Sequence, residues 1–207
     1  MKPDFKLYLI TDRKLFTSLE EMLLAIERAL DGGAAAVQLR EKDLSGRELL
    51  ALAYRLRKLT EGHAARLFIN DRVDIALAVD ADGVHLGGNS MPADAARKAS
   101  GNTLLIGVSA HSVQEARKAE ERGADFITLG PIYETPSKMQ YGAPIGPQAL
   151  KDAVRNLSIP VYAIGGIRTE RITEVLQQGA YGIALISAIL SAADVRITTE
   201  EFVRKLS

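Results

Sequence analysis

Eight times along the chain a short apolar run is followed by a longer stretch with helical spacing. The runs fall at 6–10, 35–39, 66–69, 83–86, 104–108, 125–129, 161–164 and 182–186. Runs this short and this continuously apolar suit strands buried on both faces. A strand that returns through a helix must lie parallel to its predecessor. Eight such units in 207 residues predict an α/β fold, a (β/α)8 TIM barrel, as a single domain over residues 1–207. An open doubly wound sheet is the alternative. It would carry Gly-x-Gly-x-x-Gly after the first strand, where this chain has Thr11-Asp12-Arg13.

Local signals place the helices. Ser18-Leu19-Glu20-Glu21, Ser45-Gly46-Arg47-Glu48 and Ser112-Val113-Gln114-Glu115 each read as a capping box, with Ser and Glu exchanging hydrogen bonds with each other's backbone. Gly32-Gly33 ends the first helix, Pro92 opens the fourth, and the last is expected from about 198 to 205. The longest loop, 130–142, follows the sixth strand; loops of that length are usually functional or disordered.

Charge narrows the partners. Lys plus Arg and Asp plus Glu number 26 each, which gives no basic footprint for nucleic acid or an acidic membrane. There is no Cys, hence no disulfide and no thiolate chemistry. The first residues lack the apolar core of a signal peptide, and no apolar run approaches the length of a membrane span. The expectation is a soluble, cytoplasmic protein with a small-molecule partner. Nothing in these features encodes an oligomeric state.

In barrels the ligand side is the carboxyl end of the strands. Gly165-Gly166 and Ser187-Ala188 follow the last two strands, where backbone N–H groups commonly hold a phosphate; the plainer reading of the Gly pair is a tight turn. Arg40-Glu41-Lys42 puts two cations after the second strand, as anion ligands or as a solvated loop. Asn70-Asp71 reads better as an amino-terminal cap of the next helix than as a ligand pair. His63 is expected in an exposed turn, and His85 as a hydrogen-bonded structural residue within a strand. His111 lies just past a strand end beside Ser109, where an imidazole can move a proton near neutral pH. Three scattered His show no metal-ligand spacing, and no Ser sits in a nucleophile elbow.

Taken together, 8–12 (Tyr-Leu-Ile-Thr-Asp), 38–42 (Gln-Leu-Arg-Glu-Lys), Asn70-Asp71-Arg72, 83–87 (Gly-Val-His-Leu-Gly), 107–112 (Gly-Val-Ser-Ala-His-Ser), 130–133 (Gly-Pro-Ile-Tyr), Lys138 and 164–167 (Ile-Gly-Gly-Ile) resemble the thiamin phosphate synthase/TenI superfamily over nearly the whole chain. The resemblance implies a barrel that acts on a thiazole phosphate in thiamin biosynthesis.

Two branches are relevant. The synthase joins hydroxymethylpyrimidine pyrophosphate to thiazole phosphate and uses Mg²⁺. That branch would assign Gln38, Arg40, Lys42, Asn70 and Lys138 to the pyrimidine pyrophosphate, and Asp71 to the metal. The TenI-like branch is a thiazole tautomerase with no metal or other cofactor. It would make His111 the acid–base residue, with Ser109 and Glu134 beside it. In both, Gly165, Gly166, Ser187 and Ala188 would hold the thiazole phosphate. Synthases usually carry Gly-Gln-x-Asp after the fourth strand, and this chain has Gly87-Gly88-Asn89-Ser90. They also usually have Pro where Glu134 stands. These two departures favour the tautomerase as the expected activity, with the synthase as the alternative. A non-catalytic thiazole-phosphate-binding regulatory protein is the reading from another class.

Overall fold

The computed structural model describes residues 2–135 and 143–207. Among them, eight strands close into a parallel barrel in sequence order: β1 (Leu7–Ile10), β2 (Ala36–Leu39), β3 (Arg66–Asn70), β4 (Gly83–Leu86), β5 (Leu105–Ala110), β6 (Phe126–Leu129), β7 (Val161–Ile164) and β8 (Gly182–Leu185). Closure is direct, with Leu7 opposite Ile183 and Leu9 opposite Leu185. The crossover helices are α1 (Leu19–Asp31), α2 (Gly46–Gly62), α3 (Val73–Ala78), α4 (Ala93–Ala99), α5 (Val113–Glu121), α6 (Gly146–Asn156) and α7 (Ile172–Gln177). After β8 come the short α8 (Ser187–Leu190) and then α9 (Val195–Leu206). The barrel expectation holds. No helix among the described residues is long and apolar enough to cross a membrane.

Some boundaries move. Ser109 and Ala110 belong to β5 itself, so His111 follows the strand directly. Asp194 caps α9 by accepting from the Ile197 N–H at 3.0 Å, which starts that helix three residues before position 198. Of the three expected capping boxes, only Ser45–Glu48 is closed in both directions. Ser18 and Ser112 do accept from the N–H three residues on. Their Glu partners reach one residue further back, Glu21 to the Thr17 N–H and Glu115 to the His111 N–H. His63 is half-buried rather than exposed: Nδ1 donates to the Leu59 carbonyl at 2.8 Å and Nε2 lies 3.2 Å from Asp31.

Alternation along each strand divides the core in two. One set of side chains packs outward against the helices, with Leu9, Val37, Leu67, Ile127 and Ile183 wholly buried. The other fills the barrel, where Phe5, Tyr8, Phe68, Phe126 and Tyr162 form a ring cluster with centroids 5.2–6.3 Å apart. Edge-on contacts predominate, which suits the aromatic quadrupole. Carbonyls of the segment preceding β1 seal the amino-terminal end: Tyr162 donates to the Phe5 carbonyl at 2.6 Å and Tyr181 to that of Pro3 at 2.8 Å.

Two glycines make room for these rings. A Cβ on Gly83 would collide with Phe68, and one on Gly107 would stand 2.5 Å from His85 Nδ1 and closer still to Phe126. Overpacking of this kind typically costs about 1–3 kcal/mol. Gly107→Ala should therefore lower the thermal midpoint by roughly 2–12 °C, read by calorimetry. An unchanged midpoint would mean that the rings have room to spare.

Candidate active site

A cavity of about 890 Å³ opens at the carboxyl ends of the strands. Around its wall stand Gln38, Arg40 and Lys42 from β2 and its loop, Asn70 and Asp71 from β3, Ser90, Ser109, His111, Glu134, and then Gly165, Gly166, Ser187 and Ala188. Every residue proposed from sequence as a catalytic, substrate, phosphate or metal residue is therefore gathered at one mouth, except Lys138, which lies outside the described residues.

The β2 side is cationic by construction. Along 38–42 the side chains alternate: Gln38, Arg40 and Lys42 line the cavity, and Glu41 is buried behind them. Glu41 accepts from Thr11 Oγ1 at 2.6 Å and from the Arg13 N–H at 3.1 Å, while Thr11 Oγ1 accepts from the Arg40 N–H at 2.9 Å. This knot ties the β1 loop to the β2 loop and holds the two cations on the inner side. Burial pushes the Glu41 carboxyl above the usual carboxylate range. The adjacent Asp43 is engaged by Arg13 and Lys14. Arg40 and Lys42 thus have no ion-pair partner among the described residues, and their charge faces the cavity.

Asn70 and Asp71 are not a helix cap. The capping position of α3 is Arg72, with no side-chain cap bond. Asp71 instead adopts φ +62°, a left-handed conformation that only Asn and Asp among side-chain-bearing residues visit with any ease. There its carboxylate accepts from Asn70 Nδ2 at 2.7 Å, from Ser90 Oγ, and from the Gly87 N–H at 3.4 Å. Gln38 Nε2 donates to Asn70 Oδ1 at 3.1 Å. The carboxylate is thereby turned to the cavity, away from the helix.

On the far side of β1, Gly165 and Gly166 have φ of +95° and +65°. A Cβ on Gly166 would stand 2.8 Å from Tyr133 Cβ and nearer still to the Glu134 carbonyl oxygen. The Gly pair is thus a tight turn that also lines the cavity, packed against the β6 loop and held by Arg171, which donates to the Gly166 carbonyl at 2.6 Å. Tyr133 points away to Glu174, at 2.7 Å, under the Arg171 guanidinium. Glu134 is exposed at the rim. Ser187 and Ala188 open α8, whose first N–H groups have no acceptor within the helix.

His111 is exposed, with Nδ1 2.6 Å from the Gly130 carbonyl. A carbonyl only accepts, so Nδ1 carries the proton, and neutral His111 keeps its lone pair on Nε2. His85 is structural in placement, as expected: it is buried inside the barrel, and burial pushes its imidazole down to about 3. Sequence reading missed the Thr11–Glu41 knot, the Gly130 carbonyl and Thr128. Strict alternation through 38–42 was the signal available for Glu41; the other two depend on strand pairing that no local pattern reveals.

Fold and mouth together define a (β/α)8 barrel with a polar cavity at its carboxyl end. The thiamine monophosphate synthase (TMP-TENI) family model matches residues 7–189, and the chain belongs to that family. It is an enzyme of thiamin biosynthesis. It is 54% identical over 195 residues to a putative thiamine-phosphate synthase of Geobacter sulfurreducens, covering 94% of this chain and 91% of the relative. It is 44% identical over 201 residues to the thiamine-phosphate synthase of Pyrococcus furiosus, covering 97% and 94%. A solved thiamine phosphate pyrophosphorylase from Pyrococcus furiosus superposes with TM-score 0.89 at 42% identity, covering 98% of this chain and 95% of that one. These relatives favour the synthase over the tautomerase that Ser90 and Glu134 suggested.

Proposed function

We propose that the chain is a thiamine-phosphate synthase, joining hydroxymethylpyrimidine pyrophosphate to thiazole phosphate and releasing pyrophosphate. The observation that carries the reading is that one cavity is lined by two separate groups suited to anions. One is Arg40 and Lys42 after β2, which have no ion-pair partner among the described residues; the other is the Gly165-Gly166 and Ser187-Ala188 backbone after β7 and β8. A condensation of two phosphorylated reactants needs both.

In the reaction the carbon–oxygen bond to pyrophosphate breaks, and the oxygen keeps the electron pair. The thiazole nitrogen supplies the pair for the new carbon–nitrogen bond. Arg40 and Lys42 bind the pyrophosphate and stabilise its growing charge. Gln38 and Asn70 orient the pyrimidine end, and the last two loops hold the thiazole phosphate. Ser109 and His111 line the wall between these sites.

The donor set near Asp71 fits Mg²⁺. One carboxylate turned to the cavity, a neighbouring hydroxyl and substrate oxygens are the hard oxygen ligands that this ion takes, and it often needs only one or two carboxylates. Asp71, with Ser90 beside it, would hold the ion. The chemistry such an ion supplies is neutralisation of the departing pyrophosphate. Ser90 is therefore a weaker objection to the synthase than its departure from Gly-Gln-x-Asp suggests.

The tautomerase remains the second reading, on one observation: the bond from His111 Nδ1 to Gly130 leaves Nε2 able to take a proton. The test is to assay both reactions side by side with purified protein, with and without Mg²⁺. We expect Mg²⁺-dependent condensation that His111→Gln reduces by less than about tenfold. Absent condensation, with a proton shift that His111→Gln lowers by about 10²–10⁴-fold, would replace the synthase with the tautomerase. Binding of thiazole phosphate with neither turnover would leave a regulatory binding protein.

Ser90→Asp gives a further check on the metal corner. Ser90 Oγ now bonds Asp71 and accepts from the Gly87 N–H at 2.6 Å. A carboxylate there would face Asp71 directly, and two like charges at such range destabilise one another. The variant should melt below the parent without Mg²⁺ and recover when Mg²⁺ is added, through preferential binding to the folded state. A melting curve indifferent to Mg²⁺ would remove Asp71 as the metal residue.

A further inference from the structure

The barrel interior holds a buried polar chain that the reaction just described does not use. Tyr8 OH lies 3.4 Å from His85 Nδ1, His85 Nε2 lies 3.0 Å from Ser109 Oγ and 3.2 Å from Thr128 Oγ1, and Thr128 donates to Ser109 Oγ at 3.3 Å. Tyr8, His85 and Thr128 are buried, and Ser109 is half-buried on the cavity wall. The deep end is therefore sealed from solvent and the shallow end opens on the cavity.

Hydrogen-bond polarity along this chain is determined from the deep end. A buried phenol proton without an acceptor costs about 1–3 kcal/mol, and His85 Nδ1 is the acceptor within reach of Tyr8. If Nδ1 accepts, a neutral imidazole must carry its proton on Nε2. Nε2–H then donates to Ser109 Oγ, its nearer hydroxyl, which already receives the Thr128 proton. With its oxygen taken up by two donors, the Ser109 hydroxyl has its own proton left to offer, and the open side is the cavity.

We propose that His85 is a positioning residue that fixes the Ser109 hydroxyl as a hydrogen-bond donor into the cavity, so that the ligand atom meeting Ser109 is an acceptor, a ring nitrogen or an anionic oxygen. The glycine at 107 belongs to this device, because a Cβ there would strike the His85 ring. Only the kinetic readout below rests on the synthase reading.

The first measurement is the ¹⁵N spectrum of the histidine-labelled full chain at neutral pH, with His85 assigned by substitution. The expected result is the Nε2–H tautomer, and an Nδ1–H tautomer would overturn the proposal. The second is a double-mutant cycle. Ser109→Ala and His85→Leu should each lower kcat about tenfold, the scale of one positioned hydrogen bond, and the double variant should fall no further. His85→Gln, which keeps an N–H near the same place, should recover most of the loss. Losses that multiply to about a hundredfold would show that His85 acts through packing alone. If the protein does not condense the two substrates, the synthase reading fails by itself. The tautomer, together with the same cycle read as Kd for thiazole phosphate, then decides the role of His85.

Discussion

Gly166→Ala should weaken thiazole phosphate binding by about a hundredfold, some 2.7 kcal/mol. Two effects add. A left-handed backbone costs a residue with a Cβ roughly 1–2 kcal/mol, and Gly166 sits at φ +65°. The new methyl would also press on Tyr133 and on the Glu134 carbonyl, which must shift before the turn can keep its shape. A bulkier residue is therefore a poor probe, since it would disturb the β6 loop as well as the ligand. Alanine, followed by calorimetric titration and a thermal scan, separates the two losses. Unchanged affinity would move the phosphate away from the last two loops.

Arg40→Ala should lower condensation by about 10²–10³-fold, the usual cost of removing one group aimed at developing charge. Lys42→Ala should fall in the same direction. Arg40→Lys should recover only part, because an ammonium lacks the planar fork that grips two phosphate oxygens. The informative comparison is between substrates: KM for the pyrimidine pyrophosphate should rise while thiazole phosphate affinity stays near the parent value. An equal loss toward both would merge the two anion sites into one and remove the observation on which the synthase reading stands.

Much of this was legible beforehand because barrel strands are buried on both faces and leave uninterrupted apolar runs such as 35–39 and 125–129. The closing contact of β8 with β1 follows from counting units, not from any residue in either strand. Strand-end residues could be named because position after a run is a local property. What they touch is not. Asn70-Asp71 looked like a cap because caps use those residues, and only the left-handed turn at Asp71 shows the carboxylate directed to Ser90. The Glu41 knot spans 30 residues to Thr11, and the His111–Gly130 bond spans 19. Both are set by neighbouring strands in the closed barrel. Ser90 pointed toward the tautomerase, whereas the relatives favour the synthase; a Mg²⁺ site that shares its ligands with a substrate would tolerate a change at one protein ligand, which a motif comparison counts as decisive.

The seal at the amino-terminal end bears on how the chain is made. Carbonyls of Pro3 and Phe5 are bound by Tyr181 and Tyr162, which emerge about 160–180 residues later. Until then β1 can pair with β2 on one edge only, and its other edge waits for β8. The nascent protein therefore carries an unpaired strand edge and an open aromatic interior until β8 emerges, the kind of surface that recruits chaperones and invites aggregation. Ribosome pausing or truncation just before β8 should leave the barrel open, because the far edge of β1 is fastened only by β8.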